Sequence, residues 1–343
     1  MLSIPFIRIV AKDNYDLGLQ IGKRLKKNIH RRLATTKQVY QKIGMKNFAN
    51  LCAHAQKFVP ATNAHFPELI AELQGMSRAA AVPFEKLMVL MCEEELLDIK
   101  DIAISHCTNV AVRTKNAILV GHNEDWLNSY RHNGLFVLQY TMGDRRSLSL
   151  NYIGSLAASC CGLNAQGLCF TANSLNPGRF RYGVPVKFQL RAMLDCKTPQ
   201  EAIYSDLEAS SICSNTIYGW ENTGILDVED FFGHHEVFHR KKVLVHTNHP
   251  LLRKDRNPNN TPKESVARYE RAVQLLGNSR EHTLKDVKEI LRDHTTRICG
   301  HAKRHSSWGS TIASVIMNPK EKWMEVCGGN PCKHTYTRYT LRV

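Results

Sequence analysis

The feature that most constrains this chain is an abrupt change of pattern at Cys107. Before it, apolar residues recur at helical spacing in three segments, 15–31, 65–81 and 84–97. From Cys107 onward, short β-rich runs replace them, first at 107–113 and then, after a Lys-Asn turn, at 117–121. The sequence therefore predicts a helical N-terminal segment joined to a body built largely of strands.

Further strand-like runs alternate with helical runs towards the C-terminus. Strands are expected at 135–142, 147–152, 168–172, 243–247, 311–317, 323–327 and 336–343. Helices are expected at 185–194, 199–207, 263–276 and 284–291. The segment 255–263, rich in Asn and Pro, is expected to be an exposed loop. This order indicates a layered α+β protein with a largely antiparallel sheet.

The composition excludes several classes of protein. With 343 residues, 43% of them hydrophobic, the chain can bury the core of one large domain or two smaller ones. It contains no run of about 18 apolar residues, so no transmembrane helix and no membrane partner are expected. The opening segment 1–10 is too short for the apolar region of a signal peptide. A cytoplasmic location is therefore expected.

The formal net charge of +15 favours anionic partners, such as phosphate-bearing molecules or acidic substrates. A basic, solvated surface explains the same number. The sequence has no zinc-finger, helix-turn-helix or aromatic-basic pattern, so nucleic acid is not expected as a partner and a nucleic-acid-associated protein is the weakest alternative.

Eleven cysteines are scattered without regular spacing, which favours free thiols over a disulfide framework. Cys327, Cys332 and His334 could be imagined as zinc ligands, but no second pair at ligand spacing accompanies them. Neither a metal nor a cofactor is expected.

The strongest chemical signal is Cys107 at the start of a strand that a hairpin links to a second strand ending in Asp125. The hairpin is expected to bring the carboxylate back beside the thiol, where it can orient a base. If the chain is cut before Cys107, the freed α-amine, with an unperturbed pKa of about 7.7–8.0, can itself be that base. From these residues alone, a buried structural cysteine on a core strand remains the alternative.

Several ordered motifs carry a resemblance that covers most of the chain. They are Cys107-Thr108, Asn123-Glu124-Asp125-Trp126, the turn 162–168 with Asn173, Thr247-Asn248-His249, the helix residues Ser265, Arg268, Tyr269 and Arg271, Asp293-His294, and 298–301. In this order they resemble the acyl-coenzyme A:6-aminopenicillanic-acid acyltransferase (isopenicillin N acyltransferase) family of N-terminal-nucleophile (Ntn) hydrolases. Each motif alone is weak, and their common order is what makes the resemblance specific.

The resemblance implies a role for each matched residue. Cys107 would be the nucleophile of both self-processing and catalysis, with Asp125 holding its α-amine. Asn248 would donate to the oxyanion, a contact whose loss typically costs about 10²–10³ in rate. Asn173 would contact the acyl group. His122 would take the place of a cation that related bile-salt hydrolases put near the thiolate.

The resemblance also implies a role for Arg268 and a position for the cleavage site. Arg268 on the helix would bind a substrate carboxylate, although a surface charge is the alternative. The cleavage site would lie between His106 and Cys107, where many family members have glycine in place of the histidine. The usual Ser-Ile-Cys-Arg-His run of the family also departs here, since Gly300 replaces its arginine.

The resemblance implies a four-layer αββα Ntn-hydrolase fold, with 1–106 as an α chain that stays bound to a β chain of 107–343. The expected reaction is acyl transfer at a linear amide or thioester. The partner would be a small acyl amide or an acyl-coenzyme A, and the enzyme an amidohydrolase or an N-acyltransferase. A homo-oligomer is possible. The alternative from another class is a degenerate, unprocessed relative that binds a ligand or partner.

Overall fold

The computed structural model of the chain describes residues 4–98, 107–175, 180–204, 209–220, 224–240, 242–252, 262–277, 281–302 and 309–341. The helices are α1 (Asn14–Lys42), α2 (Phe48–Gln56), α3 (Val59–His65), α4 (Pro67–Ala80), α5 (Phe84–Met91), α6 (Glu93–Asp98), α7 (Val186–Met193), α8 (Pro199–Tyr204), α9 (Lys263–Leu276) and α10 (Leu284–Arg292).

The strands before residue 200 are β1 (Phe6–Ala11), β2 (Thr108–Arg113), β3 (Ile118–Trp126), β4 (Leu135–Met142), β5 (Arg145–Tyr152), β6 (Cys161–Asn164) and β7 (Leu168–Ser174). Those after it are β8 (Cys213–Trp220), β9 (Gly224–Phe231), β10 (His234–Arg240), β11 (Val243–His246), β12 (Ser310–Asn318), β13 (Trp323–Gly328) and β14 (Thr337–Thr340). A short 3-10 turn, Asn128–Tyr130, follows β3.

These strands form two sheets that pack face to face. The eight-stranded sheet has the order β1-β4-β5-β6-β7-β8-β9-β10, and the six-stranded sheet has the order β11-β2-β3-β12-β13-β14. The central strands β2 and β3 contact β7 and β8 across the interface. Among the described residues, every pairing of named strands is antiparallel except that of β1 with β4.

Helices cover the outer face of each sheet. On the six-stranded sheet, Val110 and Val112 of β2 point outwards into a cluster with Val287 and Leu291 of α10. On the eight-stranded sheet, α7 packs against the strands, and Tyr218 donates to Met193 Sδ at 3.3 Å. The alternating side chains of β2 follow from the two-residue period of a strand, which gives each face its own core. The architecture is therefore the expected αββα arrangement of four layers.

The expectation that the first hundred residues are helical is wrong at 6–11. There the β-branched and apolar residues form β1, which pairs in parallel with β4 at the edge of the eight-stranded sheet. The expected single helix 84–97 is two helices, because the chain breaks at Cys92, whose φ of −104° departs from helical values. The N-terminal segment thus contributes a strand to the same sheet as the later chain.

Besides β1, four strands were missed in the sequence: β8 to β10, and β6, which includes the first three residues of the expected turn 162–168. β8 and β9 are buried and carry polar residues such as Asn215 and Asp227, which break the apolar pattern that marks a strand. β10 is largely exposed at the sheet edge. Most of the expected loop 255–263 lies outside the described residues, and α9 begins at Lys263 as predicted.

In the described part of the chain, no helix is both long and apolar enough to cross a membrane.

Candidate active site

Cys107 is the first described residue after a gap at 99–106, and it immediately precedes β2. In the antiparallel pair of β2 with β3, Thr108 lies opposite Asn123, so the hairpin brings the end of β3 back to Cys107. The Cys107 Sγ atom lies 3.8 Å from the backbone oxygen of Asp125. The predicted meeting of the cysteine with the carboxylate-bearing strand end is therefore present, although this contact is made by the backbone. The predicted cleavage partner His106 lies outside the described residues.

Side chains of β3 alternate between two environments around this point. His122 and Glu124 point between the two sheets, on the side of the thiol. Asn123 points the other way and donates to the backbone oxygens of Leu291 and Ile298 at 2.8 Å each. Because successive residues of a strand face opposite sides, Asp125 shares the helix-covered face with Asn123. The thiol therefore lies on the side of β3 that faces the other sheet, whereas the Asp125 carboxyl group lies on the side covered by helices.

Between the sheets, the Cys107 thiol lies in a chain of polar contacts. Donor atoms of Cys107, His122 and Glu124 all lie within 4.8 Å of one another. The His122 ring is hydrogen-bonded at Nδ1 to Asn109 Oδ1 at 2.6 Å and at Nε2 to Glu124 Oε2 at 2.9 Å. Tyr152 donates to Glu124 Oε1 at 2.6 Å. His122 is completely buried, so it does not approach the nucleophile from a solvent-facing position.

Burial raises the pKa of the Cys107 thiol well above its usual value, and the carboxyl groups of Glu124 and Asp125 raise it further. The intact chain therefore holds this sulfur as a neutral thiol. A base must remove its proton before it can attack a carbonyl carbon.

A small cavity of about 20 Å³ opens beside the thiol, which is room for about one water molecule. Its walls include two carboxylic acids, Glu94 at the end of the N-terminal segment and Glu124 on β3, together with Asn173 and Ser174 of β7. Residues of both sheets and of the N-terminal segment therefore line the cavity beside the sulfur.

Arg268 of α9, which packs on β2 and β11, reaches across the helix-covered face of the six-stranded sheet to the backbone of the cysteine. Its Nη1 atom donates to Cys107 O at 2.5 Å and to Thr108 Oγ1 at 2.9 Å, and its Nη2 atom donates to Asn248 Oδ1 at 2.8 Å. The side chain is only 1% exposed. The expected surface or substrate-facing arginine is thus a buried one whose fork fixes the cysteine relative to Asn248, because guanidinium donors are held in a rigid plane.

Asn248 is held from three sides at the end of β11. Its oxygen accepts from Arg268, its backbone N–H donates to Ser265 Oγ at 2.8 Å, and its Nδ2 atom donates to Ser174 O at 2.9 Å. The orientation of the amide follows from the arginine, which can only donate. The nitrogen therefore points towards β7, the strand that lines the cavity.

Asn173 lies on β7 at the wall of the same cavity. Its Nδ2 atom donates to the backbone oxygens of His246 and Thr247 at 3.3 and 3.1 Å. Its Oδ1 atom is buried and has no hydrogen-bond partner in the part of the chain that the structure describes. Buried acceptors are usually paired, so this oxygen is suited to receive a hydrogen bond from a bound molecule.

Asp125 lies in the layer on the other side of the sheet. Its Oδ1 atom accepts from Thr311 Oγ1 at 2.5 Å, and Thr311 Oγ1 in turn accepts from Gly300 N at 2.8 Å. Burial raises the pKa of Asp125 to about 8, even though the Thr311 hydrogen bond and the charge of Arg268 lower it. This carboxyl group can therefore exchange a proton near neutral pH.

This chain departs from the family pattern at Gly300, and the structure gives a steric reason for the glycine. A Cβ atom at this position would lie 2.8 Å from Asp125 Oδ2, closer than real Cβ contacts come. Any larger side chain here would displace the carboxyl group, so glycine lets the 298–301 segment pass directly over Asp125.

The zinc ligands imagined from the sequence do not form one group. The His334 Nε2 atom lies 3.3 Å from Arg131 Nη2, and Cys327 Sγ faces the backbone oxygens of Gly328 and Gly329 at 4.0 Å each. Cys332 contacts other residues, Cys299 and His301.

Sequence reasoning missed Glu124 and Thr311. Glu124 occupies the variable position of the Asn-x-Asp-aromatic motif, and the signal that could have found it is its two-residue spacing from His122, which puts both on one strand face. Thr311 meets Asp125 only through the pairing of β12 with β3, which brings together residues 186 positions apart. No local pattern identifies such a partner.

Two sandwiched sheets between helical layers, with a buried cysteine at the head of a central strand, are the features of an Ntn-type protein. The sequence model of one family, described as acyl-coenzyme A:6-aminopenicillanic acid acyl-transferase, matches residues 112–333. The match spans well over half of the chain. The chain belongs to this family.

Individual relatives are more distant. The chain is 29% identical over 158 residues to the beta-alanyl-dopamine/carcinine hydrolase of Drosophila melanogaster, and the match covers 40% of each protein, so it spans less than half of that relative. Penicillin V acylase from Agrobacterium tumefaciens has 14% identity and a TM-score of 0.43, covering 65% of this chain and 82% of that one. A variant of conjugated bile acid hydrolase from Clostridium perfringens has 13% identity and a TM-score of 0.47, covering 69% and 99%.

Proposed function

We propose that this chain is a self-processing amide-bond enzyme in which Cys107 attacks first its own peptide bond and then a substrate. The observation that carries the proposal is the buried fork of Arg268, which binds Cys107 O, Thr108 Oγ1 and Asn248 Oδ1 together. A structural cysteine on a core strand needs no such arrangement. It fits a nucleophile that must be held at a fixed distance from an amide donor.

In the proposed self-processing step, the Cys107 thiol gives its proton to a nearby base, and Glu124 is the carboxyl group placed for this. The sulfur bonds to the carbonyl carbon of His106, the peptide C–N bond breaks, and the Cys107 nitrogen takes up a proton to become a free amine. Water then hydrolyses the thioester, which leaves a carboxylate on His106 and restores the thiol. The chain is divided into 1–106 and 107–343.

In the proposed catalytic step, the new α-amine takes the thiol proton and the sulfur attacks the substrate carbonyl. Asp125, at the end of β3, pairs with the ammonium that forms. The second Nδ2 hydrogen of Asn248 donates to the oxyanion, and the unpaired Oδ1 atom of Asn173 accepts from the substrate. The amine leaves with the proton, and water or another amine takes the acyl group from the thioester.

The two acids at the cavity indicate the acyl group. Glu94 and Glu124 line the space beside the thiol. Burial raises the pKa of Glu94 to about 8, and a cation bound next to it would favour its ionised form, so the two acids favour an acyl group that carries a positive charge. A β-alanyl group has an ammonium at neutral pH, and the Drosophila relative is described as a hydrolase of beta-alanyl-dopamine and carcinine. We therefore favour hydrolysis of small amides whose acyl part is cationic.

A second function, acyl transfer from an acyl-coenzyme A, is favoured by two other observations. The family is described by that chemistry, and the net charge of +15 would attract a phosphate-bearing donor. The two acidic residues of the cavity wall favour the first function, because they lie next to the reacting sulfur.

The first test is the intact mass of the purified protein under denaturing conditions. We expect two fragments that sum to the 39.0 kDa chain, the larger beginning at Cys107, and a single uncut chain for Cys107→Ala. Cys52→Ala, which removes a partly exposed thiol elsewhere, is the control and should be cut normally. A wild-type chain that stays whole on long incubation would favour the alternative of an unprocessed binding protein.

The substrate class is tested with two amides of the same amine, one β-alanyl and one propionyl. We expect faster hydrolysis of the β-alanyl amide, and a rise in its KM for Glu94→Gln with little change for the propionyl amide. Consumption of an acyl-coenzyme A in preference to either amide would support the transferase instead. Equal effects of Glu94→Gln on both amides would refute the charge argument.

A further inference from the structure

A cluster of sulfur and nitrogen atoms lies apart from the catalytic thiol, where the chain leaves α10 and meets the turn after β13. Cys299 Sγ lies 3.5 Å from Cys332 Sγ, and His301 Nε2 lies 3.3 Å from Cys332 Sγ and 3.9 Å from Cys299 Sγ. Donor atoms of His294, His301 and Cys332 also all lie within 4.8 Å of one another. Four potential ligands therefore converge from two separate segments.

These distances match the edges of a zinc coordination tetrahedron. Zinc binds sulfur at about 2.3 Å and imidazole nitrogen at about 2.0–2.1 Å, which puts neighbouring ligand atoms about 3.3–3.8 Å apart. The three distances among Cys299, Cys332 and His301 lie within about 0.1 Å of this range. The exposed imidazole of His294 stands next to the His301 ring, with ring centroids 5.8 Å apart, and is the candidate for the fourth ligand.

A neighbouring amide holds the segment that carries the proposed ligands. Asn330 donates from one amide nitrogen to Cys299 Sγ at 3.4 Å and to Gly300 O at 2.7 Å, so it orients the ligand segment as outer partners of metal ligands do.

We propose that Cys299, His301, Cys332 and His294 bind one zinc ion in a closed, structural site. Binding replaces the two thiol protons, which go to solvent, so the two thiolates balance the charge of the ion. Such a site would fix the 298–301 segment, and with it Gly300, whose N–H holds Thr311 against Asp125. The zinc site does not depend on the proposed reaction of Cys107.

Cobalt(II) reports this site because thiolate ligands give it an intense charge-transfer absorption and a tetrahedral field gives strong visible bands. The experiment uses the reduced, metal-free full chain in a Cys107→Ala background, which removes the thiol of the Cys107, His122 and Glu124 group. We expect one cobalt per chain, displaced by one zinc, with thiolate bands.

The matched variants are Cys332→Ser and Cys52→Ser, since both cysteines are partly exposed free thiols. Cys332→Ser should lose the thiolate bands and the zinc-dependent rise in unfolding temperature, whereas Cys52→Ser should keep both. Equal spectra for the two variants, or no thiolate band in either, would overturn the proposal. So would a chain that binds no metal after reduction and whose Cys299 and Cys332 form a disulfide on exposure to peroxide.

Discussion

The guanidinium of Arg268 acts at the scale of a single residue. It is buried and donates to the backbone oxygen of Cys107, the hydroxyl of Thr108 and the amide oxygen of Asn248. Burial lowers the pKa of Arg268, and Asp125 acts in the opposite direction. A lysine carries the same charge but not the fork, so the geometry of these three groups can be tested separately from the charge.

We expect Arg268→Lys to slow self-processing by about 10- to 100-fold. The reason is the loss of at least one hydrogen bond to a charged donor, worth about 1.5–3 kcal/mol. The measurement is the rate at which the two fragments appear by intact mass. Arg271→Lys, on the same helix but bonded to Asp293, is the control and should be cut at the normal rate. Equal rates for both variants would show that Arg268 does not position the nucleophile.

The raised pKa of Asp125 predicts a pH dependence of stability. Its pKa is about 8 in the folded chain and about 3.9 in an unfolded one. Between these values the folded state keeps a proton that the unfolded state has lost. The stability contributed by this group is therefore fully present below about pH 4 and is lost as the pH rises to about 8.

The variant that removes this titration is Asp125→Asn, compared with its parent in an uncut Cys107→Ala background. We expect the unfolding free energy of the parent to fall relative to the variant by up to about 1.4 kcal/mol per pH unit between pH 5 and 7. Chemical denaturation at several pH values measures it. Parallel curves would mean that the carboxyl group is ionised in the folded chain.

The sequence predicted which residues belong to the site better than it predicted what they contact. Arg268 was recognised by its place in a helical motif, but the polar residues around it on α9 resemble those of a surface helix. Its burial follows from contacts with β2, 160 residues earlier. Contacts over such separations leave no local pattern, which is also why Glu124 and Thr311 were missed.

At the scale of elements, buried ion pairs join the segment before Cys107 to the chain after it. Glu93 of α6 binds Arg32 of α1 at 2.8 Å and Lys187 of α7 at 2.9 Å. A second pair, Arg191 of α7 with Glu72 of α4, crosses the same boundary at 3.0 Å. Burial alone would raise the pKa of Glu93, but Arg32 and Lys187 outweigh it and lower that pKa.

We expect Glu93→Gln to destabilise the chain by about 3–5 kcal/mol, because two buried cations would lose their carboxylate. Glu289→Gln, which breaks an exposed i,i+4 pair with Lys285, should cost about 0.3–0.5 kcal/mol. Urea denaturation of the uncut Cys107→Ala chain measures both. Similar costs for the two substitutions would contradict the view that this cluster fastens α7 to the N-terminal helices.

Element prediction succeeded where one pattern was strong. β4 and α9 were predicted to the residue, β4 from a run rich in apolar and aromatic residues and α9 from apolar residues at helical spacing. β1 was wrongly predicted as part of a helical segment, because only six residues form it and its partner β4 begins more than a hundred positions later. Pairing of this kind is decided by the whole fold and not by the strand itself.

At the scale of the whole molecule, the segment before Cys107 and the chain after it form one body. Residues of both lie in the same hydrophobic core, from Leu17 and Leu73 to Phe136 and Phe170. The family match begins at residue 112 and describes none of the first hundred residues. The predicted boundary at 106 and 107 is therefore a boundary of proposed processing and not of packing.

The position of the edge strand β1 affects how the cleaved protein could refold. It pairs with β4, across the proposed cut, so an uncut chain reaches this pairing as a single connected polymer. Once severed, the two pieces that share a sheet can regain it only by finding each other, at a rate that depends on their concentration. Processing would therefore make refolding bimolecular. A molecule unfolded after the cut, in dilute solution, would not readily return to the folded state that its precursor reached as a single chain.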